Sequence, residues 1–450
     1  MMNKHKKILI GAAAVIGLLL ILPFLIPMQT YLREVEKLAS EKLGQPVVIQ
    51  SVHLFLLPSP RVVADGIVVG KHEELTVERL VVIPTLASLF SDTKSLDLTI
   101  DKPIIKKAAL EFISALTAKN VDSSTPLSIR VRHIEVNELQ LVWSEANYPA
   151  MNAQAKLTEA YTLESAMLET LDGKLMADVS PNGDEQLIVV TADKWTLPVG
   201  LPWLIDKAKL EMHLKDSRLE IPNIDIALYG GKLTGNAVIN WQNSWRLHCK
   251  LKLANLAVQQ PSRMVSKAVY LSGNLFGSGN FSAQSKEAVR LADNLHADFN
   301  FKVNSGVLHG LDLVKMASLL LKQNQGGGET QFDTFSGLLN VTGGNTAKQY
   351  HLRNLKISSG LLAATGQVKV KPNKSLDGAV VVDVKNGMGL AAISLNVSGT
   401  VDNPKVSPSK AALAGAVAGT AVLGPGVGTS LGIKAAGALD KVKGLFGDDK

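Results

Sequence analysis

The stretch "SWRLHCKLKLANL", residues 244–256, alternates strictly between apolar and polar residues and limits what the chain can become. Successive side chains of an extended strand point to opposite faces, so Trp245, Leu247, Cys249, Leu251 and Leu253 share one face. Arg246, His248, Lys250 and Lys252 share the other. One face wants water and the other wants cover, which a second sheet or a layer of helices would ordinarily supply.

Strands are abundant along the chain and helices are scarce. From Val47 onward the sequence reads as short strands, among them "VVIQSVHLFLLP", "RVVADGIVVG", "ELTVERLVVI", "LSIRVRHIEV", "KLTGNAVINW", "YHLRNLKISS" and "DGAVVVDV". Gly, Asn, Asp and Pro punctuate them, as hairpins and meanders require. Helical spacing is confined to 29–43, where Leu32, Val35, Leu38 and Ala39 recur before Gly44, and to 84–91, 105–119, 202–208 and 311–323. The segment "LLKQNQGGGETQFDTFSG" reads as a flexible loop. Such short helices cannot cover so many strands. Closure into a barrel would hide the apolar face, but irregular inserts and changes of alternation phase argue for an open twisted sheet. The expected fold is mainly β: an elongated, mostly antiparallel sheet curled into a trough, with a few short helices and an N-terminal transmembrane helix. A β-sandwich is the alternative.

The chain of 450 residues is 46% hydrophobic and 19% charged, a folded composition, and its net charge of +7 is spread over many strand faces. No basic run is interleaved with aromatics, so nucleic acid is not an expected partner. The single cysteine, Cys249, excludes an internal disulfide and reads as a small buried hydrophobe. The nine histidines form no HExxH, and no GxSxG, phosphate loop or metal spacing occurs, so no enzyme, cofactor or metal is expected.

The first residues carry an address. Lys4, Lys6 and Lys7 precede an uncharged apolar run, and its part from Ile8 to Met28, at about 1.5 Å per residue, spans a bilayer's hydrocarbon core of roughly 30 Å as a helix. The run is longer than a cleaved signal's core and no small-x-small site follows, which favours an uncleaved anchor. The basic flank places residues 1–7 in the cytoplasm and the bulk outside. At the far end "AALAGAVAGTAVLGPGVGTSLGI" is uncharged and contains Gly415 and Gly419 in a GxxxG spacing, followed by an amphipathic end.

Several ordered stretches resemble the AsmA family of inner-membrane-anchored periplasmic proteins. "LGQPVVIQSVHLFLLPSPRVVADGIVVG" is similar to the family's opening, and "LTVERLVVIPTLASLFSDTKSLDLTIDKPII" to its next element. "IALYGGKLTGNAVI" matches the interior turn at Tyr229, Gly230 and Gly231. "GVLHGLDLVKMASLLLK", "TQFDTFSGLLNVTGGN", "LKISSGLLAATGQVKV" and "LNVSGTVDNPKVSP" follow in the order of its C-terminal domain. The resemblance runs over most of residues 1–407 and is weakest between about 145 and 200. It implies an N-terminal module at 29–125, a central sheet at 126–300, a C-terminal domain at 301–407 and a separate tail at 408–450.

The resemblance also implies a single-pass protein of the Gram-negative inner membrane, its bulk in the periplasm, that carries phospholipid or another lipid along an apolar trough in envelope biogenesis. The residues fit such a role. Each methylene costs about 0.8 kcal/mol to expose, so two acyl chains of roughly thirty methylenes cost about 20 kcal/mol in water. The candidate trough positions are Leu247, Leu251, Leu253, Val368, Val370, Val380, Val382, Val384, Ile393, Leu395 and Val397. The alternative function is a scaffold whose open strand edges pair with outer-membrane β-proteins.

Overall fold

The structure is a computed structural model. It describes residues 28–85, 88, 93–109, 129–143, 146–160, 162–198, 201–318, 328–344, 347–360, 362–386 and 389–414. The expected membrane anchor at 8–28 lies outside the described residues except for Met28, as does the tail beyond residue 414. Among the described residues no helix is long and apolar enough to cross a membrane. The chain divides into two compact units, Met1–Pro202 and Trp203–Lys450.

The first unit opens with helix α1 (Met28–Leu43), followed by strands β1 (Val47–Phe55), β2 (Arg61–Val69), β3 (Leu75–Pro84), β4 (Lys94–Asp101), β5 (Ile104–Lys106) and β6 (Ile129–Trp143). Five more complete it: β7 (Ala146–Asn147), β8 (Met151–Leu157), β9 (Leu163–Thr170), β10 (Leu175–Asn182) and β11 (Glu185–Thr196). Neighbours pair antiparallel, except that β4 and β5 run parallel to β6. The residues between β5 and β6 are numerous enough for the crossover a parallel pair needs. Lys102, at φ 48°, turns the chain so that β3 pairs with β4 and then with β5.

Helix α1 uses half of the expected stripe, Leu32 and Ala39, and adds Leu43. Leu32, Ala39 and Leu43 pack against Val47, Ile49 and Val69, whereas Val35 and Leu38 are exposed. The helix also closes the sheet's outer edge: the N–H of Val47 donates to Ser40 Oγ at 2.9 Å and that of Ile49 to Glu36 Oε1 at 2.7 Å. Two donors of an edge strand are thereby removed from any incoming strand.

The second unit is a continuous meander. Strands β12 (Leu204–Lys215), β13 (Arg218–Leu228), β14 (Gly231–Asn240) and β15 (Trp245–Ala257) precede helix α2 (Gln259–Val265); β16 (Tyr270–Ser285) and β17 (His296–His309) precede helix α3 (Leu313–Ser318). Then come β18 (Glu329–Thr342), β19 (Gln349–Ser358), β20 (Leu362–Val370), β21 (Leu376–Asn386), β22 (Gly389–Thr400) and β23 (Asn403–Pro408). Each pairs antiparallel with the next.

The strands of the two units correct three expectations. Residues 204–208, expected to be helical, begin β12, because the polar alternation of "DKAKLEMHLK" outweighs the short apolar run before it. Residues 105–106 belong to β5 instead of a helix. The segment "ETQFDTFSG", expected as loop, is the first half of β18, with Thr330 and Phe332 buried on alternate positions. Strand β16 has no counterpart in the sequence reading, because Gly273, Gly277 and Gly279 look like turn punctuation.

A β-bulge puts both Leu253 and Leu256 on one face: Asn255 takes φ 58° and the register shifts between the two leucines. Related shifts at Ser272/Asn274 and Leu352/Leu355 bend neighbouring strands. The final edge is blunted. The N–H of Ser409 donates inward to Ser394 O at 2.8 Å, so Pro404 and Pro408, of opposite parity, present outward nitrogens that carry no hydrogen.

Candidate functional site

Paired residues of an antiparallel ladder lie on the same face, so register alone shows what the second sheet presents. One row runs Gly235, Leu251, Gly279, Phe299, Leu339 and Leu352, and continues through Val368, Gly378, Val397 and Val406. It contains no polar side chain. The next row carries Cys249, Phe281, Ala297, Val341, Tyr350 and Val370.

Exposure divides this face in two. At one end Leu256, Val303, Val382 and Leu395 are at most 1% exposed and form a core with Leu313 of α3, against which Met264 of α2 and Met316 pack. Beyond that capped end, Leu247, Leu251, Phe299, Leu339, Leu352, Val368, Val370 and Val397 are all only half-buried. Among the described residues the core that α2 and α3 join does not extend to these side chains, although Ala297 and Val341 between them are buried.

The expected trough residues are therefore sorted by the structure. Register places all of them except Val384 on this one face. Leu247, Leu251, Val368, Val370 and Val397 line its open stretch. Leu253 and Val380 pack against the capped core. Val382, Ile393 and Leu395 are core positions with no surface to offer, because the helices cover that end. Val384 lies in β21, its side chain outside the described residues. The sequence reading omits Phe299, Leu339, Leu352 and Val406, although the alternation of "DFNFKV" marks Phe299.

Aromatic rings flatten the floor. A Cβ added to Gly277 or Gly279 would meet the Phe299 ring at 2.4 or 2.9 Å, and one on Gly337 would meet Phe301 at 3.1 Å. The rings thus lie across neighbouring glycines. The unique Cys249 is half-buried within this surface, and its burial pushes the thiol above the usual range.

On the opposite face, three strands bring together a polar relay that no local motif announces. Ser272 Oγ is 3.0 Å from His309 Nε2, and His309 Nδ1 is 2.7 Å from Glu329 Oε1. Tyr270 stacks on the imidazole at 4.4 Å, and Arg263 sits 5.1 Å from the tyrosine ring centre. Among the described residues no group of acidic, histidine or cysteine side chains is arranged to hold a metal.

Fold and surface define a class: a mostly antiparallel-sheet protein whose second unit carries an unbroken apolar row. A model of the AsmA family matches residues 85–350, and the chain belongs to that family. The match reaches from the end of β3 into β19, and so takes in most of the apolar rows. No curated protein sequence matches the chain. Membership suggests an envelope or lipid-related role.

Proposed function

We propose that this protein is anchored in the inner membrane with its bulk in the periplasm, where it shelters phospholipid acyl chains along the apolar face in envelope biogenesis. The observation that carries the reading is the row from Gly235 to Val406, apolar throughout and half-buried, with only its last member, Val406, packed against the capped core. Nine strand-to-strand steps of about 4.8 Å give it a length of roughly 43 Å. A chain resting on an open face hides about half its surface, so it gains about 0.4 kcal/mol per methylene and roughly 6 kcal/mol for sixteen.

The strand-pairing alternative has less support, because α1 takes up two donors of β1 and two prolines strip donors from β23. The protein is read as non-catalytic. Ser272, His309 and Glu329 have the order of a nucleophile, base and orienting acid, but the Glu329 side chain is 58% exposed, and the trio braces three strands. A fluorophosphonate probe that labelled Ser272 would overturn that part of the reading.

The test uses the full chain purified in mild detergent. Native mass spectrometry should find bound phospholipid, and lipid loading should slow alkylation of Cys249, the only thiol. Lipid-free protein whose Cys249 reacts equally fast before and after incubation with phospholipid refutes the proposal.

A further inference from the structure

The polar face of the second sheet contains a groove. Lys250 and Lys252 on β15 and Arg353 on β19 stand as rims on either side of a floor of Ser278, Asn280, Asp298, Asn300 and Asn340 with one apolar member, Leu338, and Thr234 and Asn236 of β14 extend the lining past the lysines. Four strand steps of about 4.8 Å separate the rims, roughly 19 Å from axis to axis. The depression has a volume of about 590 Å³. It forms because Lys250, Lys252 and Arg353 are long while the side chains between them are short, a consequence of "HCKLK" facing "SGNFS" in register, with Lys250 opposite Asn280 and Lys252 opposite Ser278.

The floor is pre-set. Arg353 Nε donates to Asn340 Oδ1 at 2.6 Å, and Asn340 Nδ2 donates to Asp298 Oδ1. That chain fixes the amide's orientation and engages one nitrogen of Arg353 and one oxygen of Asp298, both residues of the groove's lining. Among the described residues neither Lys250 nor Lys252 is in an ion pair, so two ammonium groups stand ready for an anion.

The geometry points to an acidic polysaccharide as the ligand, its chain lying along the strands. Uronate or similar carboxylates would meet the cationic rims, while ring hydroxyls would donate to Asp298 and exchange hydrogen bonds with the asparagine amides and Ser278. Other polyanions fit less well. Single-stranded nucleic acid needs aromatic platforms for its bases, and the one aromatic residue of the lining, Phe299, turns its ring to the opposite face, across Gly277 and Gly279. A flat anionic membrane would meet the rims but leave the floor, with its carboxylate, unpaired. Pre-ordering of the floor lowers the entropic cost of binding. The groove lies on the face opposite the proposed lipid surface, so either reading can fail without the other.

The experiment measures binding of alginate oligosaccharides to the full chain in detergent by calorimetry. Dextran oligosaccharides of equal length and phosphatidylglycerol vesicles serve as comparisons. Alginate should bind at least tenfold more tightly than dextran, and Lys250→Gln with Lys252→Gln should weaken it at least tenfold without changing the melting temperature. Asn340→Ala, which breaks the floor network, should weaken it severalfold. Lys267→Gln with Lys286→Gln, exposed cations outside the groove, should leave it unchanged. Equal loss in that control, equal affinity for dextran, or vesicle binding through Lys250 and Lys252 without alginate binding overturns the assignment.

Discussion

Leu251→Asp separates a lipid-facing position from an ordinary core position. Leu251 is half-buried, and its direct neighbours on both adjoining strands are glycines, Gly235 and Gly279. An aspartate there loses little lateral packing and keeps contact with water, so the fold should weaken by only about 1–2 kcal/mol. The same change at Leu395, which is 1% exposed inside the capped core, buries a carboxylate without a partner. It should cost about 5 kcal/mol or more, enough to unfold a typical domain. A carboxylate in the middle of the acyl path should also reduce co-purified phospholipid at least tenfold in Leu251→Asp. The assay pairs thermal melting by circular dichroism with lipid quantification by mass spectrometry. If Leu251→Asp melts as drastically as Leu395→Asp, or keeps its full complement of lipid, the open-face argument is wrong.

Removing the edge seal on β1 with Ser40→Ala or Glu36→Ala should cost about 1 kcal/mol each and raise concentration-dependent self-association, read by light scattering; unchanged association would show that the donors are hidden by other means. Alkylation of Cys249 should reach half its limiting rate at a pH above that of a free cysteine peptide, since burial raises the thiol, and an unshifted profile contradicts the described exposure. Asp172 is held down to about 2 by Lys174 and by the Thr170 hydroxyl. Its contribution to the β9–β10 turn is therefore present above the unfolded carboxylate's titration and is lost as pH falls from about 4 to 2. Titration of the Asp172 carboxyl by NMR checks this, and a midpoint near 4 would remove the effect.

Alternation made much of this fold legible. The faces of β15, β20, β21 and β22 can be read from their residues, and the expected trough positions other than Val384 share one face because a two-residue period leaves no other choice. What stayed hidden depends on partners distant in the chain. The glycines of β16 look like breakers until Phe299 is seen lying across Gly277 and Gly279. The burial of Val382, Ile393 and Leu395 depends on where α2 and α3 land, which no strand pattern encodes. Val35 and Leu38 fit a helical stripe, yet α1 turns Leu32, Ala39 and Leu43 inward because Glu36 and Ser40 must reach the edge of β1. The Ser272 relay and the polar groove each draw on several strands and have no local spacing to find.

Closed edges and an open face answer two different hazards. An unpaired edge recruits strands through backbone groups that any chain possesses, whereas an apolar face recruits whatever is greasy. Side chains of α1 and the prolines of β23 suppress the first attraction, while the second is left in place over the stretch beyond the capped core. If that surface served only to fold the protein, α2 and α3 would need to extend over it, since each half-buried leucine or valine forgoes roughly 1 kcal/mol of burial. Leaving it half-buried is consistent with an occupant supplied from outside. The unbroken row also sets how such an occupant would move under the proposed function: without a polar side chain between Gly235 and Val406, an acyl chain advancing one strand exchanges one apolar contact for another. A single carboxylate in that row is therefore the smallest change that should stop the movement while the sheet stays folded.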